Sequence, residues 1–477
     1  MRRGTKGVFC RFFVIFGVCS WLFFLCMHAA SDKGQYKSLI GFYEWQARHE
    51  LIAKDLKKRM LEPTFGVEPF SKDLVQTIAG CRKFAQRFCR FLETSLRVQG
   101  LSNEQVEHLQ NAEETKQGIL IEDSVLYSAI KFPEDAKIEV FGDLHGDFGP
   151  IESLLINLLK NNLFDPETFR ILDPNTYYIF LGDVIDRGTS GLLNLFYIAK
   201  LMAANPGRVW YIRGNHEKYF NDGCCSFKYD LQELPVDGEF LEDAAEELFQ
   251  LFFNKIFVLL PQVLFVTTSK ARFAFLHGGI DHQMTEEMKN GVIEGLSKTV
   301  VEGVPYSWIV HQDECIFPPT LWNDMHYEAK LKTIWGHERG SYMLGCSDVI
   351  NWMMRFMVTT IFRGHQQEDI VADGDRLDRP FSAGKWCGIA TRWQDRVITL
   401  NVAPNTGVYN ESPDYFCDIG TWARVYRAPE LFIDPPMGSN EIPHTLETAP
   451  EYVLEPVYFD PRKHTIIPPE GDLLNGI

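Results

Sequence analysis

The sequence predicts an α/β protein whose layered β-sheets are flanked by helices, with a helical N-terminal extension. Three observations carry this. Six apolar, β-rich runs each end in a short polar cluster: KIEVFGDLHG, YYIFLGDVIDRG, RVWYIRGNHE, RFAFLHGG, TTIFRGHQ and RVITLNVAPN. Helical segments such as IESLLINLLK and GLLNLFYIAKLMAAN follow several of these runs; alternation of this kind packs helices against a sheet. Hydrophobic residues make up 45% and charged residues 23% of 477 positions, enough apolar side chains for a full core.

The first element is a leader. Arg2, Arg3 and Lys6 precede an apolar run from Phe12 to Met27, and HAAS follows. Basic residues, an apolar stretch and small residues form a secretory-signal pattern. The run is long for a signal core and short for a span of about twenty residues. Residues 1–30 are therefore read as a signal peptide or an uncleaved membrane anchor, with membrane association through residues 8–30. The bulk of the chain would then be exported or lie across the membrane, as basic residues stay on the cytoplasmic side.

Residues 31–100 form the helical extension. Leu74, Ile78, Cys81, Ala85, Phe88 and Leu92 recur at helical spacing, and Ser71 is a candidate N-cap. An amphipathic helix packed on the main domain is the favoured reading; a membrane-surface or partner helix is the sharper alternative. The α/β domain spans 101–410. Residues 411–477 are rich in proline and lean acidic, and read as an extended tail. The eight cysteines beyond the leader are sparse for a disulfide framework, and none form a CxxC pair.

A formal net charge of −17 argues against sequence-independent nucleic-acid binding, which needs basic patches. It leaves room for a phosphate substrate if bound cations supply the local positive field.

Function collects beyond the carboxyl ends of strands in such sheets, and the polar clusters sit there. GDLHG offers Asp143 and His145, GDVIDRG offers Asp183, Asp186 and Arg187, and RGNHE offers Arg213, Asn215, His216 and Glu217. HGG adds His277 and RGH adds His365. Each alone is ordinary loop chemistry. Together, carboxylates and an amide oxygen mixed with imidazoles suit manganese, iron or zinc better than calcium.

The series GDLHG, GDVIDRG, RGNHE, HGG, RGH resembles the phosphoprotein phosphatases, metal-dependent serine/threonine phosphatases of the calcineurin-like metallophosphoesterase superfamily. LWND at 321–324, ERGSYMLG at 338–345 and VAPNTGVY at 402–409 are similar to further family segments. The resemblance implies a metallophosphatase catalytic domain holding two divalent ions, with manganese expected in vitro and iron or zinc as alternatives. It implies Asp143 and His145 as ligands of one metal, Asp183 as the bridge, and Asn215, His277 and His365 as ligands of the other. His216 would be the general acid, oriented by Asp186. Arg187, Arg339 and Asn215 would bind the substrate phosphate. The implied reaction is direct attack by a metal-bridging hydroxide on phosphoserine or phosphothreonine of a protein. Two other readings share the motifs: a phosphoesterase of small molecules such as dinucleoside polyphosphates, and an inactive binding module. Thr406 stands where the family has a tyrosine, and HGGIDH departs from its usual HGG segment, which bears on substrate choice.

Overall fold

The computed structural model describes residues 76–111, 113–114, 120–218, 226–235, 241–298, 301–326, 332–336, 341–365, 388–392, 396–401, 420–427, 452–460 and 465–467. The leader, Ser71, Leu74, Arg339, Thr406, and Cys224 and Cys225 lie outside them. The elements used below are, in chain order, α1 (Ile78–Val98), α2 (Asn103–Leu109), β1 (Leu120–Lys131), β2 (Lys137–Phe141), α3 (Gly149–Lys160), β3 (Thr176–Phe180), α4 (Gly191–Ala204), β4 (Val209–Tyr211), α5 (Ser226–Gln232), α6 (Leu241–Leu251), β5 (Val263–Thr267), β6 (Arg272–Leu276), α7 (Glu286–Ser297), β7 (Tyr306–Cys315), α8 (Cys346–Phe356), β8 (Thr360–Arg363), β9 (Gly388–Arg392), β10 (Val397–Asn401), β11 (Gly420–Arg427), β12 (Tyr452–Asp460) and β13 (Thr465–Ile467).

Two sheets stack face to face, as the alternating pattern predicts. Among the described residues, one runs β1-β5-β6-β8-β10-β9, with β7 also paired to β1 and the short strand Glu113–Glu114 on its edge. The other runs β13-β12-β11-β2-β3-β4. Period-two alternation divides each strand between two cores. Ile138 and Val140 of β2, Tyr177 and Ile179 of β3, Leu264 and Val266 of β5, and Phe273 and Phe275 of β6 fill the space between the sheets. The intervening residues face outward under helices. Phe141, Tyr178 and Phe180 join the core beneath α3, α4 and α6. Ala274, Leu276, Val263 and Phe265 join the core that includes Val292 and Leu296 of α7 and Trp352 and Phe356 of α8. Burial on both faces is why these strands read as nearly continuous apolar runs.

Helix α1 packs on the main domain. Ile78, Cys81, Phe84, Ala85, Phe88 and Leu92 are buried in the same core as α4 and α6. Its cap is Thr77, whose hydroxyl accepts the Gly80 N–H at 3.0 Å, and not Ser71. Among the described residues, no helix is long and apolar enough to cross a membrane. Described cysteines Cys81, Cys89, Cys315 and Cys346 are free thiols.

Three strands come from the stretch read as a tail. β11 pairs antiparallel with β2, with Ala423 opposite Val140, and β12 and β13 extend the sheet beyond it. Arg424 Nε donates to Glu139 Oε1 at 2.6 Å and so holds β11 to β2 by side chain as well as backbone.

What positions the site is strand direction. β2, β3 and β4 run parallel to one another, and so do β6, β8 and β10. Within each set the carboxyl ends, where the polar clusters begin, share one rim.

Helix α4 is apolar almost all round yet carries Lys200, which is 7% exposed and stacks its Nζ 4.1 Å from the centre of the Phe169 ring. Burial pulls this ammonium down to about 7, whereas an unfolded lysine titrates near ~10.4. The folded state therefore binds fewer protons than the unfolded state across that interval. The resulting penalty is full below pH 7 and fades as pH rises through the window. Lys200→Met should raise the denaturant midpoint more at pH 6 than at pH 9.5; an equal gain at both would refute the assignment.

Candidate metal centre

The rim residues meet in one buried cluster, and Asp183 is at its middle. It follows β3 directly. Its Oδ2 lies 3.2 Å from His277 Nε2 and 3.5 Å from His145 Nε2. Two sets of side chains with ligand atoms close enough to share one ion both contain it: His145, Asp183 and His216, and Asp183, His277 and His365. Asp143 joins them, with Oδ2 3.7 Å from His145 Nε2 and Oδ1 3.9 Å from His277 Nδ1. Asn215 Oδ1 sits 2.8 Å from His277 Nε2 and 2.9 Å from His365 Nδ1. All six predicted metal ligands are thus within reach of one another, from five strand ends in two sheets.

Outer partners turn the imidazoles toward that centre. His277 Nδ1 lies 2.9 Å from the Leu181 carbonyl, and His145 Nδ1 lies 3.3 Å from that of Ile185. Each Nδ1 donates to its carbonyl, which turns each Nε2 toward the carboxylates, the arrangement metal-binding histidines adopt. Asp143 is held by the backbone N–H of His365, which donates to Oδ1 at 3.0 Å.

Charge also points to cations. Asp143 and Asp183 are both buried side by side. Burial and the Asp183 charge raise the Asp143 carboxyl. Burial opposes ionisation of Asp183 too, but the His277, His216 and His145 imidazoles override it and hold that carboxyl well below its usual range. Burial lowers His277, yet Asp183 outweighs it and lifts the ring to about 9. Without metal, then, protons and imidazolium charge neutralise the acids. Two carboxylates, one amide oxygen and three converging imidazoles fit divalent ions of the manganese, iron or zinc kind.

Beside the candidate ligands lie His216 and Arg187. His216 Nδ1 lies 2.8 Å from Asp186 Oδ2, and its backbone N–H donates to Asp183 Oδ1 at 3.0 Å. Its Nε2 faces the ligand cluster, 3.9 Å from Asp183 Oδ2. Burial opposes its protonation, but Asp183 and Asp186 raise its pKa above the ordinary histidine value. Arg187 follows Asp186, and its buried Nη1 has no hydrogen-bond partner among the described residues. The predicted second arginine, Arg339, lies outside those residues.

The loops are strained. His145, Asp183, Asp186, Arg187 and His365 all have positive φ, between 44° and 68°. Such backbone costs roughly 1–3 kcal/mol per residue and persists only where surroundings over-determine it. Gly364 has a different role, because a Cβ there would overlap Asp143 Oδ1.

Several supporting residues were given no role by the sequence. Glu217, the last letter of RGNHE, is buried; its Oε2 accepts the N–H of Asp183 at 2.9 Å and of Gly214 at 2.8 Å, and its Oε1 that of Val184 at 2.9 Å. One carboxylate thereby ties two ligand loops together. LWND also proves structural: Arg363, fully buried before His365, donates to the Asn323 carbonyl and to Asp324 Oδ1, both at 3.3 Å. Glu122 Oε1 pairs ionically with Arg213 Nη1 at 2.8 Å, bracing the strand end that leads to Asn215. An acid within a ligand motif was the available signal for Glu217; Glu122 had none.

Residues 136–369, which include every predicted ligand, match the family model described as calcineurin-like phosphoesterase. The chain is 27% identical over 254 residues to a serine/threonine-protein phosphatase of Caenorhabditis elegans, covering 53% of this chain and 46% of that protein. It is 26% identical over 280 residues to a probable serine/threonine-protein phosphatase of Encephalitozoon cuniculi, covering 58% and 52%. The chain thus spans about half the length of these curated relatives. A solved protein serine/threonine phosphatase from Saccharomyces cerevisiae aligns with a TM-score of 0.44 and 17% identity, covering 78% of this chain and 89% of that one.

Glu217→Gln should lower unfolding stability by about 1–3 kcal/mol, because an amide cannot accept from all three buried N–H groups. It should also reduce bound metal. Denaturant titration and elemental analysis measure both; a variant equal to wild type in each would refute the role given to Glu217.

Proposed function

Since residues 136–369 form a calcineurin-like metallophosphoesterase domain, a hydrolase of phosphoesters, we propose that this protein removes phosphate from phosphoserine and phosphothreonine side chains of other proteins. The observation that carries the proposal is a carboxylate-held imidazole and a guanidinium with one unpartnered nitrogen on the rim of the ligand cluster. His216 is held by Asp186 at 2.8 Å, and Arg187 leaves Nη1 unpartnered among the described residues. The names of the curated relatives agree with that substrate class.

One cation held by Asp143, His145 and Asp183, and a second by Asp183, Asn215, His277 and His365, would supply Lewis acidity and a water deprotonated near neutral pH. Arg187 Nη1 would donate to a phosphoryl oxygen, where guanidinium geometry matches phosphate. Arg339 is the proposed second donor, and Asn215 would contact the phosphate as well. A serine alkoxide leaves poorly without a proton. His216 would deliver one from Nε2 while Asp186 retains the Nδ1 proton and stabilises the imidazolium.

With Mn²⁺ added, the protein should dephosphorylate a phosphoserine peptide and leave diadenosine tetraphosphate intact; the reverse preference would favour the small-molecule reading. Stripping metal with a chelator should abolish turnover, and Mn²⁺ should restore it. His216→Asn should keep bound metal yet lose about 10²–10⁴-fold on the phosphoserine peptide. It should lose far less on p-nitrophenyl phosphate, whose leaving group needs no proton. Equal losses on both substrates would remove His216 from the role of acid.

A further inference from the structure

A second convergence of ligand side chains lies apart from the centre just described. His108 in the last turn of α2, Asp123 on β1 and His311 on β7 bring ligand atoms within 4.8 Å of one another. We propose that these three residues form a separate binding site for a zinc-class divalent ion, which fastens α2 to the β1–β7 pair.

The three come from different elements, each fixed independently. A reciprocal capping box, Ser102 with Gln105, sets the start of α2 and hence the direction of His108. β1 and β7 pair antiparallel with His311 opposite Ser124, beside Asp123. The register breaks between His311 and Cys315, and such breaks commonly re-aim a side chain.

Distances fit an ion better than a hydrogen bond. His108 Nε2 lies 3.2 Å from Asp123 Oδ1. Two ligands bound at 2.0–2.1 Å to a tetrahedral ion are about 3.3 Å apart. At such a separation a donor and an acceptor would ordinarily bond. Yet His108 Nε2 is shielded from solvent and makes no hydrogen bond among the described residues. The two atoms approach as ligands of a common third atom do. His277 Nε2 and Asp183 Oδ2 keep the same 3.2 Å separation in the principal centre. The rings of His108 and His311 meet at 69° with centroids 5.4 Å apart, edge to face rather than stacked.

Donor chemistry selects the ion. Two imidazoles and one carboxylate suit zinc and its late first-row neighbours and are a poor match for calcium or magnesium. Three protein ligands leave one position for water. His108 and Asp123 side chains remain 38% and 51% exposed, so an ion can enter from solvent.

Hydrogen exchange of the full chain, saturated with Mn²⁺, tests the site without relying on activity. Adding Zn²⁺ at ten times its dissociation constant should slow exchange about tenfold in residues 103–109 and 306–311. His311→Ala should abolish that protection and lower zinc content by one ion per chain. His311 is exposed and belongs to neither ligand set of the principal centre, so Mn²⁺-dependent turnover should persist and report that the variant is folded. Any zinc response at residues 143–145, 183, 215 and 277 should be the same in both proteins. Absence of zinc-dependent protection at 103–109 in the wild type, or equal protection in the variant, would overturn the proposal.

Discussion

Everything in this molecule turns on how a buried carboxylate, Asp183, is placed between imidazoles that arrive from different directions. His277 reaches it from one sheet and His145 from the other, at 3.2 and 3.5 Å. A lone ionised carboxylate in such a position would be prohibitively costly. Positive charge must therefore come to it, as imidazolium, as metal, or as both. The two ligand sets that share Asp183 give that charge two seats on either side. Phosphoryl transfer needs little else from a protein beyond positioning and a concentrated field.

The sandwich exists to make that meeting accurate. The two candidate sets can meet only where both sheets contribute: Asp143, His145, Asp183 and Asn215 follow strands of one, and His277 and His365, which complete the second set, follow strands of the other. Their separation is set by the aromatic and aliphatic layer between the sheets, including Phe275 stacked on Phe362 with centroids 5.0 Å apart. Packed interiors deform little, so the layer acts as a rigid spacer under the site. The strained loop residues draw on the same rigidity. Each of the five left-handed backbone positions follows a strand of the packed sheets, which fixes where its loop begins.

Legibility in the sequence followed the kind of interaction involved. The strand runs and the helices after them could be read because burial on both faces leaves an unbroken apolar signal. The candidate ligands that the structure brings together could be read because metal chemistry admits few residue types and each sits beside glycine at a strand end. Lys200 was hidden because nothing in GLLNLFYIAKLMAA says which face lies against Phe169. The strands after residue 410 were hidden for another reason. Pro456 interrupts YVLEPVYFD, and proline inside an apolar run argues against a central strand. The open edge of β2 recruits them through backbone pairing and Arg424–Glu139, neither of which leaves a pattern in sequence. Thr77 and not Ser71 caps α1 because a cap is set by where the backbone enters the helix, which apolar spacing alone does not mark.

Behind the ligands lie two buried ion pairs whose purpose is position. Arg213 with Glu122 stands behind the loop bearing Asn215 and His216, and Arg363 with Asp324 stands behind His365. A buried pair returns little net stability once desolvation is counted. Apolar residues would fill the same volume at less cost. Only a guanidinium can bind several acceptors in fixed directions at once, as Arg363 does with Gly278, Asn323 and Asp324. That fork links the HGG, LWND and RGH segments, which are distant in sequence. Their joint presence in this chain is thus a geometric requirement: the histidines can share an ion only if the backbones beneath them are fastened to one another.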